Sequence, residues 1–166
     1  FPARWPADDG HRVHRPRPRG DPDGATAQFT TSAPTPTGKG SKILVIVEEN
    51  HGFASTWSGM PYLKSLALQY GYATNYRAVA HPSLPNYIAA TSGATQGITD
   101  DCDPSECSRS VESIFGQAGA AGKTWGTYAE SMPRACDRNS GSGAGGDYAP
   151  KHNPAVYYVP LRSACQ

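Results

Sequence analysis

The sequence predicts an α/β protein, a three-layer sandwich with a mainly parallel sheet, and three observations lead there. Ile43-Leu44-Val45-Ile46-Val47 is an unbroken β-branched and aliphatic run, polar at both ends and too short for a helix. Such a run reads as a strand buried on both faces, as parallel sheets require. Pro61 then opens a segment in which Leu63, Leu66, Ala67 and Tyr70 fall at helical spacing, with Gly71 at the stop. From there the texture alternates strand, helix, strand, helix, helix, strand, the order expected of crossover units on a parallel sheet.

The later elements follow the same rules. Tyr72 to Val79 mixes aromatic and aliphatic residues and is expected as the next strand. Pro85 to Thr91 predicts a short helix closed by Gly93, and Val111, Ile114, Phe115 and Ala118 mark another, ended by Gly122. Lys123 to Ala129 is expected as a strand, and the run Asn139 to Gly146 as a flexible loop. Residues 1–40 hold seven of the 15 prolines and no apolar periodicity. A segment that buries no apolar surface cannot offset an ordering cost of about 1 to 2 kcal/mol per residue, so 1–40 is expected to be a disordered tail or linker. The folded domain is expected over 41–166.

At 166 residues the chain has room for one domain. Its 15 Lys and Arg nearly balance 14 Asp and Glu, a net charge of +1, so no global field favours nucleic acid or an anionic membrane. Any anion must be held locally. No apolar run is long enough to span a bilayer, and nothing resembles the apolar core of a signal peptide. The chain begins at Phe1 rather than Met, so a missing N-terminal piece is expected.

Cys102 and Cys107 stand five apart, which is neither a redox CxxC nor a zinc knuckle. An even count of four suits disulfides; three pairings are open, and the favoured one joins Cys102 with Cys107 and Cys136 with Cys165. That implies an oxidising compartment, outside the cell, although four reduced thiols in a cytosolic protein remain the alternative.

Three segments carry candidate chemistry. Glu48-Glu49-Asn50-His51 follows the first expected strand, where ligands of open α/β sheets gather, and Glu49 and Asn50 offer the hard oxygens that suit a divalent cation. His81-Pro82-Ser83-Leu84-Pro85-Asn86-Tyr87 places a serine hydroxyl at or beside a helix start, where backbone N–H groups favour an anion. Ser83 can therefore act as a nucleophile, with Asn86 donating to developing charge. Lys151-His152-Asn153-Pro154 delivers a cation and an imidazole together: Lys151 to neutralise phosphate charge, His152 to donate a proton or bind phosphate. Each segment also has a plain reading, as a solvated turn, a serine cap between prolines and a pre-proline turn. His51 and His81 adjoin the candidate sites as supporting residues.

Together and in this order, the three segments, with Thr91-Ser92-Gly93, resemble the phosphoesterase family of secreted bacterial and fungal acid phosphatases and related phospholipase C enzymes. The resemblance covers about 42–165. It implies an alkaline-phosphatase-like fold, incomplete here, with 41–166 as the N-terminal part of a phosphoesterase domain. It implies Glu49 and Asn50 as ligands of a divalent metal of unknown identity and Ser83 as the nucleophile. Asn86 then supports the phosphoryl oxygens, and His152 lies near the active centre. The implied partner is a phosphate ester, with no nucleic acid, and the implied location is extracellular.

Family members continue beyond the Lys-His-Asn-Pro segment and supply further acidic metal ligands, so the chain is expected to be a fragment with little or no activity alone. The implied function is acid-phosphatase-like hydrolysis of phosphomonoesters, with phosphoinositides as one candidate class. Phospholipase C-type phosphodiester cleavage and a noncatalytic secreted anion-binding module are the alternatives.

Overall fold

A computed structural model of the chain describes residues 42–164. The expected tail, 1–40, and the Cys136–Cys165 pairing lie outside the described residues or depend on one that does. The chain divides into two compact units, Phe1–Tyr72 and Ala73–Gln166.

In the first unit, α1 (Phe53–Gly59) and α2 (Pro61–Tyr70) follow a segment without regular secondary structure. Met60 links them: its N–H donates to the Thr56 carbonyl at 3.0 Å and its carbonyl accepts from Lys64 N–H at 2.9 Å. Pro61 stands at the first position of α2, where its missing N–H costs nothing, and Gly71 ends the helix at φ 120°, as the sequence predicts. Phe53 and Trp57, one turn apart on α1, stack at 5.3 Å, Tyr72 lies 4.8 Å from Trp57, and the Lys64 ammonium sits 5.1 Å over the Trp57 ring.

The expected parallel sheet is not there. Among the described residues there is no sheet, and the protein is helical; one isolated parallel bridge joins Arg109 and Tyr158. Ile43 to Val47 forms no regular element and is exposed, from 91% at Ile43 to 61% at Val47. Tyr72 to Val79 and Lys123 to Ala129 are loops. The reason is physical: a strand is buried only when neighbouring strands take its N–H and C=O groups and other layers cover its faces. An apolar run states the requirement without supplying the partners, and the three-layer, alkaline-phosphatase-like reading is accordingly corrected.

The second unit holds α3 (Ser83–Ser92), α4 (Pro104–Cys107) and α5 (Ile114–Ala120), followed by 3₁₀ turns at Ala144–Gly146, Pro150–His152, Pro154–Tyr157 and Val159–Leu161. α3 begins two residues before the expected Pro85; within the first turn that proline forfeits no helical hydrogen bond. Gly93 closes α3 in the left-handed conformation, φ 83°, which a Cβ would penalise. α5 starts at Ile114, with the Ser113 hydroxyl capping Gly116 N–H at 3.3 Å, so Val111 stays outside it. α4 carries a reciprocal cap between Asp103 and Glu106.

Leu84 and Ile88 of α3 pack with Ile98, Cys107, Ala155, Val156, Tyr157, Tyr158 and Leu161 into one core. Short 3₁₀ turns begun by prolines expose few stretches of helix yet bury consecutive side chains, so Ala155 to Tyr158 all enter that core. Cys102 and Cys107 pair across α4 with their Cα atoms 6.0 Å apart, as the sequence favours.

Candidate functional site

Ser83 is the first residue of α3 and is partly buried. The backbone before it is held by Asn86, one turn into the helix. Asn86 Oδ1 accepts from Val79 N–H at 2.9 Å and Ala80 N–H at 3.2 Å, while Nδ2 donates to the Ala80 carbonyl at 2.8 Å and the Pro82 carbonyl at 2.9 Å. One amide thus fixes the approach to Ser83 over residues 79–82.

The next backbone group is also engaged. Leu84 N–H donates to Asp101 Oδ1 at 2.9 Å, and Asp101 Oδ2 accepts from Lys151 Nζ at 2.7 Å. Burial pushes the Asp101 carboxyl upward, but the Leu84 and Lys151 hydrogen bonds and the charges of Lys151 and His152 outweigh it and hold the group below its ordinary value. The His152 ring lies 5.5 Å from Tyr87 of α3. Ser83 and Asn86 thus stand in the first turn of α3, and the turn bearing Lys151 and His152 reaches the same helix through Asp101 and Tyr87.

The turn bearing Lys151 and His152 is anchored by Asn153, which is 1% exposed. Its N–H donates to the Pro150 carbonyl at 2.7 Å and its Nδ2 to the Tyr148 hydroxyl at 3.2 Å, and the Tyr148 hydroxyl donates to the Asp137 backbone carbonyl at 2.6 Å. Behind Asp101, the buried Tyr157 hydroxyl donates to the Cys102 carbonyl at 2.9 Å. Burial pushes that hydroxyl up, with the Asp103 and Asp101 charges adding to it, so Tyr157 remains a neutral donor.

Glu49 and Asn50 lie on the exposed segment before α1. Their oxygens suit a hard divalent cation, but two donors fall short of the six or more that such a cation takes, and Glu48 is the one other acidic side chain among the described residues of that unit. The residues present fit part of a cation site. A second group, Asp100, Cys102 and Cys107, brings its candidate ligand atoms within 4.8 Å of one another. With the two sulfurs joined to each other neither is a thiolate, and a single carboxylate is left. That group fits no cation as it stands.

Residues 56–164 match the phosphoesterase family. The chain belongs to that family. This phosphoesterase is 36% identical over 98 residues to a phosphate-repressible acid phosphatase of Penicillium chrysogenum, covering 58% of the chain and 24% of the relative. It is 34% identical over 100 residues to an acid phosphatase of Aspergillus fumigatus, covering 58% and 22%. To a phosphatidylinositol-3-phosphatase of Mycobacterium tuberculosis it is 30% identical over 118 residues, covering 70% and 38%. The chain thus spans between about a fifth and two fifths of the length of these relatives. No solved structure matches it.

Asp101 is absent from the residues singled out in the sequence of this phosphoesterase. Its signal is faint: one of two adjacent aspartates beside Cys102, with nothing local to show that it reaches α3 on one side and Lys151 on the other.

Proposed function

We propose that this chain carries the nucleophile-bearing part of an extracellular, metal-dependent phosphoric monoester hydrolase of the acid phosphatase type. The observation that carries the reading is the Asp101 carboxylate, which ties Lys151 to the backbone N–H of Leu84, the residue after Ser83 at the start of α3. Family membership supports phosphoester chemistry, and the Cys102–Cys107 pairing supports an oxidising compartment.

In this reading Ser83 Oγ attacks phosphorus, the bond to the ester oxygen breaks, and the Ser83 proton leaves to solvent or a base. Lys151 offsets the phosphoryl charge, and His152 donates a proton to the departing oxygen. Water then cleaves the phosphoseryl group. Asn86, with its amide committed to Ala80 and Pro82, serves the reaction by fixing the loop that aims Ser83. Glu49 and Asn50 would hold the cation, with water or further donors completing its shell; such an ion makes a serine hydroxyl a stronger nucleophile at neutral pH.

The substrate class is a phosphomonoester, and the Mycobacterium tuberculosis relative, a phosphatidylinositol-3-phosphatase by name, favours phosphoinositides as one candidate. The test is hydrolysis of p-nitrophenyl phosphate with and without added divalent ions, by this chain and by a form extended to the relatives' length. Metal-stimulated hydrolysis lost in Ser83→Ala supports the reading. Hydrolysis undiminished in Ser83→Ala removes Ser83 as nucleophile, and hydrolysis by neither form favours a noncatalytic anion-binding module.

A further inference from the structure

We propose that Asp101 is the positioning residue of this site, dividing its two oxygens between the Leu84 amide and the Lys151 ammonium so that the ammonium is preset at the start of the Ser83 helix to receive an oxyanion. The inference rests on the reading of Ser83 and Lys151 as phosphoryl-handling residues and adds the group that aligns them.

Three observations carry it. The two bonds, 2.9 Å to Leu84 N and 2.7 Å to Lys151 Nζ, use different oxygens of one carboxylate, so the separation of the two donors is set by the width of that group. The Asp101 backbone is itself held: Cys102 is tied to Cys107 and its carbonyl accepts from buried Tyr157. Lys151 in turn stands on the turn pinned by Pro150 and Asn153, so both ends of the ion pair have fixed roots. A lysine on four rotatable bonds otherwise samples many positions, and anchoring it beforehand removes that entropy from the binding step. An ammonium has three donors; Asp101 takes one, and the others can turn to an anion.

A purely structural capping role predicts something different. Asn in place of Asp keeps an oxygen for Leu84 N–H and loses both the charge and the second oxygen that hold Lys151, so Asp101→Asn separates capping from positioning. The test uses the full chain, and reads acylation of individual lysines by an N-hydroxysuccinimide ester with mass spectrometry, with and without orthovanadate. Exposed Lys123 is the internal reference. In the wild type, vanadate is expected to protect Lys151 and not Lys123.

In Asp101→Asn, the unprotected Lys151 rate is expected to rise about fivefold, as for release of a partly exposed ion pair, and vanadate protection to be lost. Asp101→Glu, which keeps the charge, is expected to restore protection in part. Absence of protection in the wild type overturns the phosphoryl-site reading and this inference with it. Protection that is present in the wild type and undiminished in Asp101→Asn overturns the role of Asp101 alone. Should Asp101→Asn lose its near-ultraviolet circular dichroism, Lys151→Gln decides: it leaves the Leu84 cap intact, and vanadate binding equal to wild type by calorimetry overturns the proposal.

Discussion

The Tyr158 hydroxyl and Thr91 Oγ1 lie 2.6 Å apart, a bond that fastens the end of α3 to the Pro154–Leu161 segment across the core. Thr91 Oγ1 also lies 2.7 Å from the Tyr87 carbonyl and the Tyr158 hydroxyl 3.3 Å from the Ile88 carbonyl, so either hydroxyl can donate the shared bond. Tyr158 is 1% exposed, and its ring packs 6.3 Å from Phe115. Tyr158→Phe keeps the ring and removes the hydroxyl, so a loss of about 1 kcal/mol is expected, read as a lower urea midpoint with unchanged slope.

Asn86→Ala removes a side chain that serves two N–H groups and two carbonyls of residues 79–82. Several of these groups face water once released, which limits the cost. A loss of about 2 kcal/mol is expected in denaturant unfolding. In an extended, active form, turnover should fall with it, because the loop aiming Ser83 is no longer fixed.

Acid should loosen the junction at Asp101. Its folded carboxyl lies below the ordinary value of 3.8, so the stability it contributes is present above about pH 4 and is lost as pH falls through the folded value. Asp137 acts in the same direction: burial raises its carboxyl, and the Asn139 N–H bond and the other contacts outweigh that. Urea midpoints measured from pH 6 down to pH 2 should therefore fall, and Asp101→Asn should flatten the fall in part. An acid response identical in the variant would show that Asp101 is not among its causes.

Reduction of Cys102–Cys107 opens a loop with a sequence separation of 5. Loop-closure entropy for so short a ring gives about 2 kcal/mol. Cys102→Ser with Cys107→Ser should lower the thermal midpoint by several degrees, read by calorimetry without reductant. No change would mean that the pairing contributes nothing to the folded state.

Ser83→Ala in an active, extended form should lower hydrolysis of p-nitrophenyl phosphate by about a thousandfold or more, since alanine carries no oxygen to attack phosphorus. Ser92, at the far end of the same helix, is the matching control: Ser92→Ala should keep activity within about twofold, as expected of a substitution away from the reacting atoms.

The helices of each unit were legible because their signals are local. Pro61 and Gly71 bracket α2, and Gly93 ends α3, by backbone rules that operate within one turn of chain. Family membership was equally legible, since it rests on the order and spacing of residue types. The lack of a sheet among the described residues was not, because pairing is a property of two segments: Ile43 to Val47 carries the composition of a buried strand and stands exposed. Asp101 was hidden for the same reason. Its importance lies in reaching Leu84, 17 residues back, and Lys151, 50 residues on, and no local pattern encodes a contact between side chains brought together only when α3 and the Pro150–His152 turn pack.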